Sequence, residues 1–398
     1  MRIRPQILQI CTLISICVFA AGSTFSIAVT QTALFLAAVF WVWKMVLEKR
    51  STIPRTGLEC YFLAYIILGA ISMIFAVQGG MWLIFIKRIL LIPIVYIIAA
   101  HMTDRKWLKI MLSCMIGAMV ILSVLGIHKY LTGVGGLEGR LKLFHHYMTS
   151  GGILMIISLL TFGFVIVKTP LKLKLAGLAS GILMLFPLIF TFTRSSWLGF
   201  ICGMSLMAIL HSRKWLIVIV SAIILFTLFA PGSVKERAVS AFDPTHPNNI
   251  ERTYMWIAGL EMIKDRPLTG MGDVDLKQIY DRYKSPDAKQ RNGHLHNNII
   301  MFGATLGIPG VLLFLALFIH IFVIGIRNYR KVPEYDWLFK GTTLGCLGIL
   351  AAFQVNGLFE WNFGDAEIAM LLWTTVGLSL AAGYAVDSSA VPESGETA

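Results

Sequence analysis

The chain has 398 residues, of which 57% are hydrophobic and 14% charged, against about 25% charged in an ordinary soluble domain. That composition excludes a soluble globular fold, and long runs apolar on all faces, such as Leu58 to Val77, exclude a transmembrane β-barrel. A net charge of +13 would suit a nucleic-acid binder, but in a membrane protein it is first divided between two compartments and reports orientation; no nucleic acid is expected.

Runs of about twenty apolar residues match a bilayer core of about 30 Å. Such runs predict an all-α polytopic membrane protein with about 12 transmembrane helices, at 6–23, 27–46, 58–77, 81–100, 107–128, 147–168, 174–192, 195–211, 214–230, 309–327, 338–357 and 364–385. Region 1–230 carries the first nine spans, 231–297 a large loop, 298–386 the last three spans, and 387–398 a small, polar, acidic tail expected to be disordered.

Basic residues recur in every second connection. They are Arg2 and Arg4, then Lys49, Arg50 and Arg55, then Arg105, Lys106 and Lys109, then Lys168, Lys172 and Lys174, then Arg213 and Lys214, then Arg327, Arg330 and Lys331. The positive-inside rule makes these loops and both termini cytoplasmic, with 231–297 on the other side. Arg2 and Arg4 before an apolar stretch ending in Ala20, Ala21, Gly22 and Ser23 also read as a cleaved signal peptide. The basic loop at Lys49 fixes the orientation under either reading. Six cysteines fall inside apolar runs without metal-ligand spacing, and read as small core residues.

The polar residues that stand out lie on the non-cytoplasmic side. Lys87 and Arg88 sit about two turns, or about 9 Å, inside the fourth span; either one lines a cavity as an anion ligand, or both snorkel outward. Arg140 lies in an exposed loop, Gly139-Arg-Leu-Lys-Leu-Phe-His-His-Tyr147, as a solvated charge or a ligand. Arg194 falls between two spans with almost no loop to solvate it, which is costly unless it snorkels or binds an anion.

The 231–297 loop holds ten Lys or Arg against nine Asp or Glu, a folded element rather than a polybasic tail. Ile250, Tyr254, Ile257, Leu260 and Ile263 recur at helical spacing, with Asn249 as N-cap and Pro267 as stop, which predicts an interfacial amphipathic helix. Asp273-Val-Asp275 has the form of a carboxylate metal motif but follows a glycine turn in a mixed-charge loop; no metal or cofactor is expected.

His296 and Asn297 open a helical stretch that Gly307 can end, with Pro309 starting the next helix. An imidazole at a helix start is held neutral by the dipole and can accept a proton from a hydroxyl, or it merely caps and packs. His294, two residues away, is expected to point in a different direction. Glu360 and Asp365, near the last external loop, either orient a histidine or bind substrate hydroxyls, or are solvated acids.

His296, Asn297, Gly307 and Gly310 meet a His-[Asn/Ser/Gln], nine residues, Gly-x-x-[Gly/Thr/Tyr] pattern. Through this pattern the sequence resembles the O-antigen ligase and polymerase superfamily of bacterial inner-membrane glycosyltransferases. The resemblance extends to Thr193-Arg-Ser-Ser-Trp197, to Arg252-Thr-Tyr-Met-Trp256 followed by Arg266-Pro-Leu-Thr-Gly-Met-Gly272, and to the layout of spans around one large loop.

It implies a GT-C-like membrane fold and a periplasmic active site in the bacterial inner membrane. The implied donor is a glycan on undecaprenyl pyrophosphate and the acceptor a lipid A-core hydroxyl, in a metal-independent reaction of a monomer or weak oligomer. The resemblance assigns catalysis to His296, Arg194 and Arg252, and substrate binding to Arg88, Lys87, Arg140, Arg266, His294, Asn297, Glu360 and Asp365, with membrane lipids around the fold. An O-antigen polymerase, a protein-modifying oligosaccharyltransferase and a lipid-linked glycan transporter are the alternatives. Transporters often show repeated halves and broken midplane helices; this chain concentrates its polar residues at one surface.

Overall fold

The computed structural model describes residues 4–133, 139–143, 145–291 and 293–390, and these form helices and connections without a strand. Arg2 and most of the predicted tail, 391–398, lie outside the described residues.

The chain opens with α1 (Pro5–Gly22) and α2 (Ile27–Glu48), an antiparallel pair whose turn is closed by Ser26 accepting from the Val29 amide at 3.4 Å. α3 (Glu59–Ile74) follows, then α4 (Trp82–Ile89) and α5 (Pro93–His101), then α6 (Arg105–Leu131), capped by Asp104. The span predicted at 81–100 is thus two helices, because Pro93 has no amide to donate and takes the first-turn position of α5.

The middle of the chain forms α7 (Tyr147–Ile166), α8 (Leu171–Phe190), α9 (Arg194–His211) and α10 (Lys214–Phe229). The predicted loop supplies three helices, α11 (Gly232–Val239), α12 (Pro247–Asp265) and α13 (Leu276–Tyr283), and the chain ends in α14 (Asn298–Lys331), α15 (Trp337–Gly357) and α16 (Ala366–Ala390). α16 therefore continues beyond the 386 boundary read from the sequence.

Nine helical stretches among the described residues are long and apolar enough to cross a membrane, with α4 and α5 together (Trp82–His101) counting as one, or ten if α10 and α11, bent by 118°, form one span. This is short of the twelve read from the sequence. The segments at 58–77 and 214–230 fold as 16-residue helices, α3 and α10. α9 is made more polar by Arg194 and His211 at its ends.

The centre of the bundle is α7, buried along its whole length, against α9, α15 and α16. Helices approach closely there: a Cβ on Gly163 would lie 2.4 Å from the Gly341 carbonyl oxygen, the small-residue packing that membrane helices use in place of a hydrophobic driving force. On the outside, Ile217 (70%) and Phe229 (80%) of α10 and Phe35 (66%) of α2 are exposed. An apolar surface of that extent marks a multi-pass membrane protein. All six cysteines are free thiols, with Cys17 and Cys346 buried and Cys60 exposed.

Candidate active site at one end of the bundle

Four structural devices gather polar residues at the end of the bundle where α11 to α13 lie. The first is the α8–α9 turn. Phe192 has a left-handed backbone (φ 54°), which reverses the chain over three residues and sets Arg194 at the first position of α9. Its guanidinium then reaches across to the loop after α11, where Nη1 donates to the Ser240 backbone and to Ser240 Oγ (3.0 Å), and Nη2 donates to Asn249 Oδ1 (2.7 Å). Arg237 Nε returns the connection by donating to the Phe192 carbonyl at 3.1 Å. The position without a solvating loop that made Arg194 stand out in the sequence is thus a half-buried, two-sided clamp between α9 and the loop helices.

The second device is α12. Its N-cap is His246, which accepts from the Asn248 amide at 3.2 Å; Asn249, read as the cap, instead holds Arg194 and the carbonyls of Ser240 and Asp243. The packed face is Met255, Ala258 and Met262, whereas Ile257 and Leu260 of the predicted apolar stripe are each 49% exposed. The exposed apolar residues are the face an interfacial helix offers to lipid, while the buried face packs on protein, with Gly259 against Ile300 of α14. Arg252, one turn into the helix, makes no hydrogen bond or ion pair with another described residue. Burial lowers its pKa, while the charge of nearby Glu360 favours its cationic form.

The third device is the kink in α14. Asn297 caps the helix by accepting from the Ile300 amide at 3.0 Å, as its position in the sequence predicts, and its Nδ2 donates to the Leu358 carbonyl at 3.0 Å. At Gly307 the helix breaks (φ 73°, ψ −170°) and restarts at Pro309. The loop 267–272 fits into that break: the Ile308 amide donates to the Pro267 carbonyl at 2.7 Å, and the Met271 and Gly272 amides donate to the Ala304 and Thr305 carbonyls. A Cβ on Gly307 would lie 2.6 Å from the Pro267 oxygen, and one on Gly270 would lie 2.4 Å from Thr305. Glycines at these positions satisfy both the left-handed backbone and the close approach.

The fourth device is the short α15–α16 loop, which carries Glu360 and Asp365. It is tied to the start of α14 by the Asn362 amide donating to Asn298 Oδ1 (3.0 Å), and Asn362 Nδ2 donates to the Phe353 carbonyl (3.2 Å). Glu360 therefore faces the 293–297 segment. His296 Nδ1 lies 3.0 Å and His294 Nε2 3.5 Å from Glu360 Oε1, with the two imidazole rings 4.2 Å apart. The expectation that the two histidines diverge is corrected: the segment is not helical, and both imidazoles face Glu360. Leu295 between them is fully buried. His296 has a left-handed backbone (φ 46°), uncommon for a non-glycine residue and a frequent mark of functional sites.

Burial opposes ionisation of Glu360, but the neighbouring His294 and His296 imidazoles outweigh it and hold the carboxyl far below its ordinary range. Asp365 moves the other way. Burial raises its pKa, with Glu360 and Glu367 adding to the rise and a 2.7 Å hydrogen bond from Thr149 Oγ1 opposing it. Arg140 lies on the same side, its guanidinium 4.4 Å from the centre of the Tyr147 ring. Tyr147 and Glu360 both act on Arg252, so Arg140, Arg194, Arg252, Asp365, Glu360, His294 and His296 form one neighbourhood.

Arg88, Lys87 and Arg266 stand apart from it. Arg88 is ion-paired with Asp273, its guanidinium 5.6 Å from the Trp361 ring. Lys87 is exposed, and Arg266 is exposed and reaches only the Phe75 carbonyl, at 3.5 Å. Asp275 caps α13, so both carboxylates of the Asp273-Val-Asp275 motif have structural partners. The sequence reading missed Asn249 and Ser240 as the holders of Arg194; nothing in local spacing marks residues that act 46 and 55 positions away.

Beside the arginines, α9 and α11–α12 enclose a cavity of about 510 Å³. Its walls are apolar (Trp197, Leu198, Ile201, Phe242, Trp256) with Arg194 and Arg252 among them, and Phe359 connects it to Glu360. An apolar slot ending in guanidinium groups suits an amphiphile with an anionic head.

The fold and site together define a multi-pass membrane protein with a cationic, histidine-containing site at one end of the bundle. Residues 179–315 match the family model described as O-antigen ligase. The matched stretch runs from α8 to past the α14 kink and takes in Arg194, Arg252 and His296, and it supports the O-antigen ligase superfamily for this chain. No curated protein matches it.

Proposed function

We propose that the protein is an O-antigen ligase, which moves a glycan from undecaprenyl pyrophosphate to a lipid A-core hydroxyl at the periplasmic face of the bacterial inner membrane. The observation that supports this most is an apolar cavity lined by Arg194, Arg252 and Phe359, the residue next to Glu360, which faces His296. The polyprenyl chain takes the cavity, and the diphosphate takes Arg252, whose donors are otherwise uncommitted, with Arg194 and Arg140 adding charge.

The donor sugar is already activated, so the protein needs to orient the reactants, hold the leaving charge and collect one proton. The acceptor oxygen forms a bond to the anomeric carbon, whose bond to the phosphate oxygen breaks. The acceptor proton passes to His296 Nε2, and the electron pair leaves on undecaprenyl pyrophosphate. Glu360, 3.0 Å from Nδ1, stabilises the imidazolium by its charge, the logic of a carboxylate behind a histidine base. Asp365 and His294 line the acceptor side. Arg88 and Arg266 have structural roles in this reading, and neither a metal nor a cofactor enters the reaction.

Incubating the purified protein in detergent with lipid-linked glycan and lipid A-core, in EDTA and without ATP, tests the proposal. Joined glycan and lipid A-core is the expected product. Elongated lipid-linked glycan in its place would assign the chain to the polymerases of the superfamily, and an absolute need for magnesium or manganese would remove the metal-independent mechanism.

A further inference from the structure

The His294, His296 and Glu360 side chains have a second capacity besides proton transfer. One ligand atom from each lies within 4.8 Å of the others. A tetrahedral zinc ion with bonds of about 2.0 to 2.2 Å holds neighbouring ligand atoms about 3.3 to 3.5 Å apart. The 3.0 and 3.5 Å separations from Glu360 Oε1 are already close to that edge. The remaining edge closes by rotation of His294, whose side chain is 39% exposed and free to turn.

Two further observations point to a ligand. His296 Nδ1 and Glu360 Oε2 are both buried without a hydrogen-bond partner among the described residues, the 3.0 Å approach at Oε1 being misaligned for a hydrogen bond. Unsatisfied buried atoms of this kind call for a missing partner, and a cation between them would satisfy both. The backbone that carries the donors is also held in place, around His294 and His296 by the buried Leu295 and the Asn297 cap, and around Glu360 by the Asn362–Asn298 tie.

We propose that His294, His296 and Glu360 form an inhibitory site for a borderline divalent transition metal, zinc foremost. Two imidazoles and one carboxylate suit zinc or cobalt and not magnesium or calcium, which favour oxygen donors. Metal on His296 Nδ1 leaves the proton of the neutral ring on Nε2, so the imidazole can no longer accept the acceptor proton. The inhibition rests on the proposed role of His296 as base; the binding does not. The charge of Arg252, which acts on Glu360, opposes a cation and keeps the site reversible.

The test uses full-length protein in detergent, stripped with EDTA and desalted, and titrated with Co²⁺ followed by visible absorption. One Co²⁺ per chain is expected, displaced by Zn²⁺ and not by Mg²⁺, with affinity at least tenfold lower in His294→Ala and in Glu360→Gln. Size-exclusion profile and thermal transition establish that each variant is folded, and His294→Gln replaces His294→Ala if the latter is not. In the ligation assay zinc should inhibit over the range in which it displaces Co²⁺, and EDTA should restore the rate. No stoichiometric Co²⁺ spectrum, or unchanged affinity in both folded variants, would overturn the site. Saturating zinc without inhibition would overturn its regulatory role. Co²⁺ binding with loss in the variants, in a protein that never joins glycan to lipid A-core, would support the metal site and count against the ligase reading alone.

Discussion

Glu360 places its Oε1 3.0 Å from His296 Nδ1, although 64 residues separate the start of α14 from the α15–α16 loop at the neighbouring Asn298–Asn362 contact. The pairing leaves Nε2 as the nitrogen available to a substrate. It also gives the two histidines different standing: both face one oxygen, but His296 is the nearer and less exposed (14% against 39%).

From this asymmetry, His296→Ala should lower the ligation rate by about 10² to 10⁴, the usual scale of general base catalysis, with donor affinity retained. His294→Ala should cost far less. Paired measurements of rate and lipid-linked donor binding check this; a greater rate loss at His294 would move the base to the other imidazole.

Arg194 makes its contacts with protein groups, so Asn249→Ala should reproduce part of the Arg194→Lys defect. A lysine cannot serve Ser240 and Asn249 together as the planar guanidinium does. Both variants should show a lower thermal transition as well as lower activity. Arg252→Lys should instead raise the KM for donor with little change in stability. A pure KM effect at Arg194 would make it a direct diphosphate ligand rather than a clamp.

Breaking the Arg88–Asp273 pair leaves a largely buried charge without its partner. The side chains are 22% and 12% exposed, and Asp273→Ala is expected to cost about 3 kcal/mol, the lower end for buried pairs. Burial holds the Asp273 pKa above its ordinary value in spite of Arg88, so the pair is a tie between α4 and the loop after α12 rather than a strong source of stability. The double variant Arg88→Met, Asp273→Leu should recover most of the loss in denaturation experiments. Persistent loss of donor binding in a stable double variant would return Arg88 to the substrate site.

Gly307→Ala should destabilise the α14 kink by about 1 to 3 kcal/mol, the cost of holding a residue with a Cβ at φ 73°, ψ −170°, a conformation essentially confined to glycine, with the 2.6 Å contact to Pro267 added. Because loop 267–272 rests on this break, activity should fall together with the thermal transition. Full stability in this variant would mean that the loop can leave the kink without cost.

The proposed orientation predicts that a thiol reagent excluded from the cytoplasm labels Asp287→Cys and not Ser51→Cys in intact cells. The reverse pattern would invert the topology and remove the periplasmic site.

The sequence by itself determined the class of protein, the positions of the helical segments and the local punctuation. Apolar runs have one stable home, the bilayer, and Asn297, Gly307 and Pro309 act through backbone geometry within a few residues of themselves. The same local character made the His296 motif legible. Tertiary structure alone decided which charges meet. Arg88 and Arg194 look alike in the sequence, as cations without a loop to solvate them; yet Arg88 is neutralised by Asp273, 185 residues away, and Arg194 is spread over Ser240 and Asn249, 46 and 55 residues away. Which face of α12 packs on protein was decided in the same way: Met255, Ala258 and Met262 are buried, while Ile257 and Leu260 of the apolar stripe stay exposed. A charge's role is set by what desolvates and pairs it, and that is fixed by contacts between segments whose separation along the chain carries no signal.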